Sequence, residues 1–327
     1  MNRPKVFISN YMPASGLNAI KQYCDVDYND GINLVKQEFI NRAKEADALV
    51  IFMTDCIDAE VISKCPRLKV IASFGKGYDN IDVAECAKRN IVVTINPDNL
   101  TASTADLAIG LLLAACRNIL ISDQHIRCKD FDGWHPFNYL GTDFHHSTLG
   151  IIGFGAIGQA IARRAKGFDV KILYYDIEIK PEAEKSYAAE YVELPRLLAE
   201  SDFVVLAVNL KSDSYHVLGA NELNLLKKGS YLINVARGSL VDEQAVAVAI
   251  KDGILKGYAA DVFEFEDRMF VNRPDYINDG LLTDIEKTVF TPHLGTGTIE
   301  ARQILAVSTA KQLLAALRGE EPSGRIV

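Results

Sequence analysis

Three glycines near the middle of the chain constrain its fold more than any other feature. Gly153, Gly155 and Gly158 form the pattern G-x-G-x-x-G, directly after the apolar run "TLGII" and at the start of the helical pattern "AIGQAIARRAKGF". The first two glycines permit a tight turn and a close approach of the backbone to a pyrophosphate, and the third lets the helix pack on the strand. The N-terminus of that helix then faces the phosphates. The pattern predicts a strand–turn–helix unit that binds a dinucleotide.

The strand after this helix specifies the dinucleotide. The run "KILYYD" ends at Asp176, and no arginine follows it immediately. A carboxylate there can accept hydrogen bonds from both ribose hydroxyls of NAD, and it would repel the additional phosphate of NADP. We therefore expect NAD as the cofactor. The alternative is a glycine turn in an unrelated α/β protein, which the surrounding strand and helix disfavour.

Apolar strands alternate with amphipathic helices on both sides of this motif. Four buried strands are predicted between Lys5 and Thr94, and a second series of six begins at Thr148. Such alternation predicts an α/β fold with parallel sheets. The segment from Thr101 to Cys128 is predicted to be one long helix, an aromatic-rich arm follows over Phe131 to Phe144, and a last helix spans roughly Thr298 to Leu317.

Charge and composition exclude several classes of partner. The net charge of −8 and the pI of about 5.4 argue against nucleic acid or an anionic membrane, since both need a basic face. The six cysteines and six histidines have no spacing typical of a metal site, so we expect no metal. The scattered cysteines and the absence of a signal-peptide pattern at the N-terminus indicate a cytoplasmic protein. An anionic substrate would need local cations to overcome the negative mean field.

Three polar residues follow predicted strand ends in the second half of the chain. Arg237 follows "YLINVA", Glu266 comes shortly after "GYAADVF", and His293 closes "TVFTPH". Ligands of open parallel sheets bind beyond the carboxyl ends of the strands, where the glycine loop also lies. Arginine can hold an anion, histidine can transfer a proton, and glutamate can orient the histidine, which suits hydride transfer. Individually, each residue has a structural alternative: a surface charge, one of several acids in "EFED", or a cap beside Pro292.

Four motifs together carry a family resemblance. "LGIIGFGAIGQAIARR", "INVARGSLVDE", "GYAADVFEFE" and "TPHLG" resemble the D-isomer-specific 2-hydroxyacid dehydrogenases over nearly the whole chain. The resemblance implies two Rossmann-like, doubly wound parallel-sheet domains and a homodimer. A substrate domain of residues 1–100 and 296–327 would contain, as an insertion, an NAD-binding domain of residues 101–295.

The resemblance also implies roles for individual residues. Arg237, Glu266 and His293 would be the catalytic triad. Formate as substrate is disfavoured, because formate dehydrogenases resemble a pattern with glutamine in place of Glu266. Around NAD, besides the three glycines, the implied residues are Thr104, Ala156, Ile157, Asp176, Asn209, Val235, Ala236 and Asp261.

The loop "SFGKGYDN" departs from the general pattern of the family. Most members have a small apolar residue where this chain has Lys76, and the backbone amides there hold a substrate carboxylate. This lysine, "FDGWHPFNYLG" and "VFEFEDRMFVNRPDYI" resemble the phosphonate (phosphite) dehydrogenase branch. Two departures from that branch are a residue inserted after Tyr139 and a threonine at 296 in place of serine. The substrate-site residues that the branch implies are Met53, Lys76, Gly77, Trp134, Tyr139, Thr296 and Arg302.

These features predict NAD-dependent oxidation of phosphite to phosphate. Phosphite is largely dianionic near neutral pH, so Lys76 would supply the second cation beside Arg237, with Glu266 and His293 as the base pair. One alternative keeps the fold and takes a 2-hydroxy acid, as a glyoxylate or hydroxypyruvate reductase or a phosphoglycerate dehydrogenase. Another is a non-catalytic regulator that senses NAD(H).

Overall fold

The computed structural model describes residues 3–97, 101–211 and 213–327. The chain divides into two compact units. The first unit consists of Met1–Leu100, Asp267–Asn272 and Thr296–Val327. The second unit consists of Thr101–Glu266 and Arg273–Gly295. A short excursion of the chain, Asp267–Asn272, therefore belongs to the first unit although both of its flanks lie in the second.

The first unit is built on a parallel five-stranded sheet with the order β2-β1-β3-β4-β5. Its strands are β1 (Lys5–Ile8), β2 (Asp25–Tyr28), β3 (Ala48–Ile51), β4 (Val70–Ser73) and β5 (Val92–Thr94). Its helices are α1 (Ala14–Tyr23), α2 (Lys36–Ala43), α3 (Ala59–Ser63), α4 (Val83–Lys88) and the C-terminal α13 (Ile299–Leu317).

The sequence explains these elements locally. Strands β3 and β4 are buried along their whole length, as expected for parallel strands covered by helices on both faces. Helix α13 begins after Thr298, whose side chain accepts a hydrogen bond from the Ala301 N–H, a favourable N-cap. Helices α1 and α13 approach so closely that a Cβ added at Gly16 would lie 2.3 Å from the Ala306 carbonyl oxygen. The predicted C-terminal helix thus packs in the first unit.

The second unit is built on a parallel seven-stranded sheet with the order β12-β11-β10-β9-β6-β7-β8. Its strands are β6 (Thr148–Ile152), β7 (Lys171–Tyr175), β8 (Ala189–Tyr191), β9 (Phe203–Leu206), β10 (Ser230–Asn234), β11 (Leu255–Ala260) and β12 (Thr288–Phe290). Its helices are α5 (Thr101–Cys116), α6 (Ile119–Arg127), α7 (Ala156–Ala165), α8 (Pro181–Tyr187), α9 (Leu194–Glu200), α10 (Ala220–Leu223), α11 (Glu243–Lys251) and α12 (Asp279–Thr283). The prediction of two parallel-sheet α/β domains of the Rossmann type is confirmed.

One predicted helix is wrong in detail. The segment from Thr101 to Cys128 is not continuous, because α5 and α6 meet at a bend of 63°. Asn118 lies between them in the left-handed conformation, with φ of 54°, and its side-chain amide donates to the Leu140 carbonyl. Asparagine tolerates this conformation better than most residues, so the break has a local cause.

The same pair of helices bears on membrane insertion. Within the described ranges, no single helix has the length and apolar character needed to cross a bilayer, and only the bent α5–α6 pair meets those criteria jointly. Seven of the sixteen residues of α5 are buried, including Ala105, Ala108 and Leu112, and four more of its apolar residues are partly buried against the core of the second unit. Its apolar composition is therefore explained by packing.

Candidate active site

The glycine loop has the geometry of a dinucleotide cradle. Gly153 has φ of +91°, and a Cβ there would lie 2.7 Å from the Ala207 carbonyl carbon. A Cβ at Gly158 would lie 2.1 Å from the Gly153 oxygen, so α7 can approach the loop only with glycine at that position. Around Gly155, by contrast, a Cβ would meet nothing within 4 Å among the described atoms. The loop is therefore crowded at Gly153 and Gly158 and open at Gly155, which fits a pyrophosphate at the N-terminus of α7.

Asp176 is held at this loop by a hydrogen bond. It follows β7, and its Oδ2 accepts from the Phe154 N–H at 2.6 Å. The carboxylate thus lies beside the turn between β6 and α7, where the ribose of a bound dinucleotide is expected. This placement supports the NAD prediction, because a 2′-phosphate would meet a negative charge.

The other residues predicted around NAD follow neighbouring strands or lie on flanking helices. Val235 and Ala236 follow β10, and Val235 is buried. Thr104 on α5 donates through Oγ1 to the Gly295 carbonyl at 3.2 Å. Ala156 and Ile157 form the first turn of α7, and Asn209 lies beyond β9. Their direct contacts with NAD stay predictions.

Arg237 lies in a loop shaped by a buried asparagine. Asn234, the last residue of β10, accepts from the Ala236 N–H at 3.1 Å and donates to the Arg237 carbonyl at 2.8 Å. The Arg237 guanidinium donates to the Ala236 carbonyl, also at 2.8 Å. The side chain therefore leaves the sheet at its carboxyl edge from a fixed backbone.

Glu266 and His293 form a direct pair. The His293 Nδ1 lies 2.8 Å from Glu266 Oε2, and both side chains are about one-third exposed or less, at 33% and 27%. The other carboxylate oxygen of Glu266 accepts from the Phe263 N–H at 2.8 Å. With both oxygens engaged, the glutamate fixes the imidazole ring, and Nε2 is the ring nitrogen left to exchange a proton with a ligand.

Asp261 holds the loop that carries His293. Its carboxylate accepts from the Thr291 hydroxyl at 2.6 Å and from the Leu294 and Gly295 N–H groups at 2.6 and 2.7 Å. Burial raises the pKa of the Asp261 carboxyl, although these three donors oppose the shift. His293 itself has φ of 55°, a strained conformation for a non-glycine residue. The buried carboxylate thus stabilises the strained turn; its predicted contact with NAD stays a prediction.

In the first unit, the loop that carries Lys76 follows β4 and is tied to its surroundings through backbone carbonyls. The Gly75 oxygen accepts from the Asn96 N–H at 2.9 Å, and the Gly77 oxygen accepts from the Ser73 hydroxyl at 3.3 Å. Further on, the Asn80 side-chain amide donates to the carbonyls of Phe52 and Asp55 at 3.0 and 2.9 Å.

Met53 lies in the loop that Asn80 binds. That loop follows β3, which pairs in parallel with β4, so Met53 and Lys76 both lie beyond the carboxyl edge of the first unit's sheet. Thr296 and Arg302 belong to the same unit, before α13 and in its first turns. Their roles toward a substrate stay predictions.

The predicted aromatic residues lie in the arm after α6. Trp134 is 83% exposed, and the Tyr139 ring packs 5.3 Å from His125. The end of the arm is anchored by Thr142, whose hydroxyl bonds with the Tyr231 hydroxyl near the start of β10. That is the amino edge of the seven-stranded sheet, opposite the edge that carries Arg237, Glu266 and His293. The predicted contacts of Trp134 and Tyr139 with substrate also stay predictions.

Sequence reasoning passed over several residues that shape this site. Asn234, Glu243 and Glu264 are buried polar residues next to the predicted catalytic positions. Their only signal in the sequence is position, since each lies within seven residues of Arg237 or Glu266. Over the described ranges, no cluster of three or more His, Cys, Asp or Glu side chains could hold a metal ion.

Comparison with known proteins matches this architecture. Residues 109–295 match the family model "D-isomer specific 2-hydroxyacid dehydrogenase, NAD binding domain". The glyoxylate reductase of Thermococcus litoralis is 43% identical over 98% of this chain and 96% of its own length. The crystal structure of the TT0316 protein from Thermus thermophilus has a TM-score of 0.90 at 33% identity, covering 99% of this chain and 100% of its own. A glyoxylate reductase from Paecilomyes thermophila has a TM-score of 0.87 at 28% identity, covering 100% and 99%.

These relatives refine the expectations from sequence. The predicted family and the predicted cofactor, NAD, are confirmed. The two relatives above that have a named activity are glyoxylate reductases and not phosphonate dehydrogenases, so they do not support phosphite as the substrate. The protein is an NAD-dependent oxidoreductase, and the chain belongs to the D-isomer-specific 2-hydroxyacid dehydrogenase family.

Proposed function

We propose that the protein reduces a small 2-oxo acid of the glyoxylate type to the 2-hydroxy acid, with NADH as reductant. The observation that carries this proposal is the bond between His293 Nδ1 and Glu266 Oε2 at 2.8 Å, beyond the carboxyl ends of strands β11 and β12. The identity of 43% to a glyoxylate reductase over nearly the whole chain supports the choice of substrate class.

Each residue of the pair has a defined task. Glu266 accepts from His293 Nδ1, so the proton to be transferred sits on Nε2. As the carbonyl of the substrate becomes an alkoxide, His293 donates this proton to the oxygen. Arg237 holds the substrate carboxylate, because a guanidinium can donate two parallel hydrogen bonds to it. The glycine loop and Asp176 would hold NADH, which would supply the hydride when bound.

Phosphite is the second candidate substrate, and the presence of a lysine at position 76 favours it. Oxidation of phosphite to phosphate breaks the P–H bond, transfers hydride to NAD, and adds oxygen from water, whose proton His293 would accept. A dianion needs more positive charge than a 2-oxo acid, and a second cation about 4 Å away contributes several kcal/mol at an effective dielectric near 20. In a protein of net charge −8, such a local cation would offset the repulsive mean field.

A spectrophotometric screen separates the candidates. NADH oxidation is measured with glyoxylate and hydroxypyruvate, and NAD reduction with phosphite, D-lactate, D-glycerate and 3-phosphoglycerate. Turnover of glyoxylate but not of phosphite supports the first proposal. Turnover of phosphite but not of glyoxylate contradicts it and supports the second candidate. NADH binding with no turnover of any of these acids would contradict both and favour the NAD(H)-sensing regulator.

A lysine variant tests the second candidate directly. Lys76→Ala should lower phosphite turnover at least about tenfold, because a dianion loses one of its two cations, while NADH affinity stays unchanged. The matched control is Lys88→Ala, which removes the same charge from an exposed ion pair with Glu85 on α4. Undiminished phosphite turnover in Lys76→Ala would contradict the role given to this lysine.

We also propose that the chain forms a homodimer and works in the cytoplasm. Large apolar side chains of α6 and the arm are exposed, namely Ile119, Leu120, Ile126, Phe131, Trp134 and Phe137. A face of this kind is typical of a subunit interface. Light scattering after size exclusion should give twice the chain mass of 36.0 kDa, and a mass of one chain would contradict the dimer. Subcellular fractionation tests the location.

A further inference from the structure

Two buried glutamates of the second unit have no part in the chemistry proposed above. Glu243 begins α11 and is 3% exposed, and Glu264 begins the short 3-10 turn Glu264–Glu266 and is 8% exposed. Burying a carboxylate is costly unless its oxygens are hydrogen-bonded. Burial raises the pKa of the Glu243 carboxyl, against the lowering effect of the backbone groups that it binds. Such expensive groups need a structural or functional reason.

The two carboxylates bind each other's backbone reciprocally. The Glu243 N–H donates to Glu264 Oε1 at 2.8 Å, and the Glu264 N–H donates to Glu243 Oε1 at 2.9 Å. The second oxygen of Glu243 accepts from the Asn278 N–H at 3.1 Å, and the second oxygen of Glu264 lies 2.9 Å from His216 Nε2. All four carboxylate oxygens are therefore engaged. We call Glu243, Glu264 and His216 the glutamate clasp.

The clasp joins the two segments that carry Arg237 and Glu266. Arg237 lies six positions before Glu243, and Glu266 lies two positions after Glu264. Between the segments the backbones touch: a Cβ at Gly238 would lie 1.8 Å from the Phe263 carbonyl carbon. The clasp thus adds hydrogen bonds between two segments whose backbones already touch at Gly238 and Phe263.

His216 binds both segments. Its side chain bonds with Glu264, and its backbone N–H donates to the Ser239 carbonyl at 2.8 Å. Its φ of 47° is unusual for a non-glycine residue, and its ring stacks on Tyr215 with centroids 4.0 Å apart. An imidazole in this place supplies the N–H partner that a buried pair of carboxylates requires.

We propose that Glu243, Glu264 and His216 are positioning residues, which hold the turn of Glu266 in register with the loop of Arg237. This inference rests on the roles proposed above for Arg237, Glu266 and His293. A shift of the Glu266 turn would move the carboxylate that orients His293. Displacements of about 1 Å can cost about a hundredfold in rate.

The test is a double-variant cycle in kcat, measured per NADH-binding site so that misfolded protein does not count. Glu264→Ala should lower kcat about 10- to 100-fold and change the KM for NADH less than about twofold, because the glycine loop is built on other strands. Glu264→Gln, which keeps an acceptor for the Glu243 N–H, should recover most of the loss. In the background of Glu266→Gln, adding Glu264→Ala should lower kcat little further, since Glu264 acts through Glu266.

The matched control is Asp202→Ala. Asp202 also accepts a backbone N–H, from Thr148 at 2.9 Å, but at the amino edge of the same sheet. We expect it to lower stability and leave kcat per NADH-binding site unchanged. If Glu264→Ala does not fold, His216→Phe keeps the stacking on Tyr215 and removes the bond to Glu264. It should lower kcat at least about fivefold.

Distinct outcomes overturn this inference and the proposed function. If Glu266→Gln lowers kcat strongly while Glu264→Ala and His216→Phe leave kcat per site unchanged, the clasp has no positioning role and the proposed function stands. If the losses of Glu264→Ala and Glu266→Gln simply multiply, the clasp does not act through Glu266. If Glu266→Gln alone leaves kcat unchanged, the proposed role of Glu266 is wrong, and the inference built on it falls too.

Discussion

The loops that carry His293 and Lys76, at the carboxyl edges of the two sheets, are held by different kinds of hydrogen bond. In the second unit, carboxylates bind backbone N–H groups: Asp261 binds those of Leu294 and Gly295, and Glu266 binds that of Phe263. In the first unit, a side-chain amide binds backbone carbonyls, since Asn80 donates to those of Phe52 and Asp55. Each edge also has one bond of the other kind: the Asp55 carboxylate accepts from the Phe52 N–H in the first unit, and the Asn234 amide donates to the Arg237 carbonyl in the second. The turn that carries His293 therefore has its N–H groups bound internally, whereas the loops that carry Met53 and Lys76 have several of their carbonyls bound internally.

This difference has a chemical meaning. A loop whose carbonyls are bound inside the unit does not turn those oxygens toward a ligand, and that suits an edge meant for an anion. A loop whose N–H groups are bound by carboxylates is rigid, and that suits an edge carrying a histidine whose ring must be oriented. The first unit's edge is suited to substrate choice, and the second unit's edge to proton transfer.

The largest effect is expected from reversing one hydrogen bond at the second unit's edge. Asp261→Asn replaces one acceptor oxygen by an amide donor, so a donor faces the N–H of Leu294 or of Gly295. We expect kcat to fall about 30- to 100-fold, since the turn that carries His293 is strained and loses part of its support. Steady-state kinetics with NADH in excess measures this. A loss confined to the KM for NADH would indicate instead that Asp261 serves only cofactor binding.

The mirror-image substitution in the first unit should have a smaller effect. Asn80→Asp places an acceptor against the carbonyls of Phe52 and Asp55, and so loosens the loops that carry Met53 and Lys76. We expect the KM for the acid substrate to rise about tenfold and kcat to change less than about threefold, since no proton-transfer group is touched.

An exposed asparagine of the same unit provides the control for this substitution. Asn10 donates to the Asn33 side chain at the surface, so Asn10→Asp should leave both kinetic constants unchanged. A fall in kcat of Asn80→Asp as large as that of Asp261→Asn would remove the distinction between the edges.

The smallest effect concerns pH and the buried carboxyl of Asp55. Burial raises its pKa to about 6, although the Ser9 hydroxyl and the Phe52 N–H oppose the shift. Because the folded pKa lies above the ordinary value of 3.8, the folded state holds the proton more tightly. The stabilisation is complete below about pH 4 and is lost as the pH rises through about 6.

Asp55→Asn isolates this contribution. The free energy of unfolding of the natural protein, relative to that of the variant, should be about 2 to 3 kcal/mol larger at pH 4 than at pH 7, so the natural protein gains stability at the lower pH. Urea unfolding at the two pH values measures it, with the exposed Asp30→Asn as control. An equal difference at both pH values would contradict the raised pKa of Asp55.

The sequence predicted those parts of the molecule that depend on local pattern. Apolar runs predicted the buried strands, and the pairing of Glu266 with His293 followed from their places at strand ends. Strand β2, "DVDY", escaped prediction because it is a polar edge strand with only alternate residues half-buried. Helix α5 was predicted too long because the break depends on the bond from Asn118 to Leu140, more than twenty residues along the chain.

The supporting residues of the site were beyond prediction for a related reason. Glu243 is the first residue of an ordinary helix whose N-cap, Asp242, is recognisable, and nothing in that pattern indicates that Glu243 binds the backbone of Glu264. A carboxylate that binds an amide N–H has no preferred partner residue, since every residue but proline carries that donor. Only the tertiary arrangement determines which N–H group the carboxylate binds.

The close contact of Gly238 with Phe263 limits how such an enzyme can change its substrate. No side chain fits at position 238, so the neighbourhood of Arg237 tolerates little variation. Lys76 and Met53 lie in loops whose backbones are held mainly through carbonyls, and there a side chain can be exchanged without disturbing the backbone bonds. New specificities should therefore arise by drift at these two loop positions, with the proton-transfer residues inherited intact.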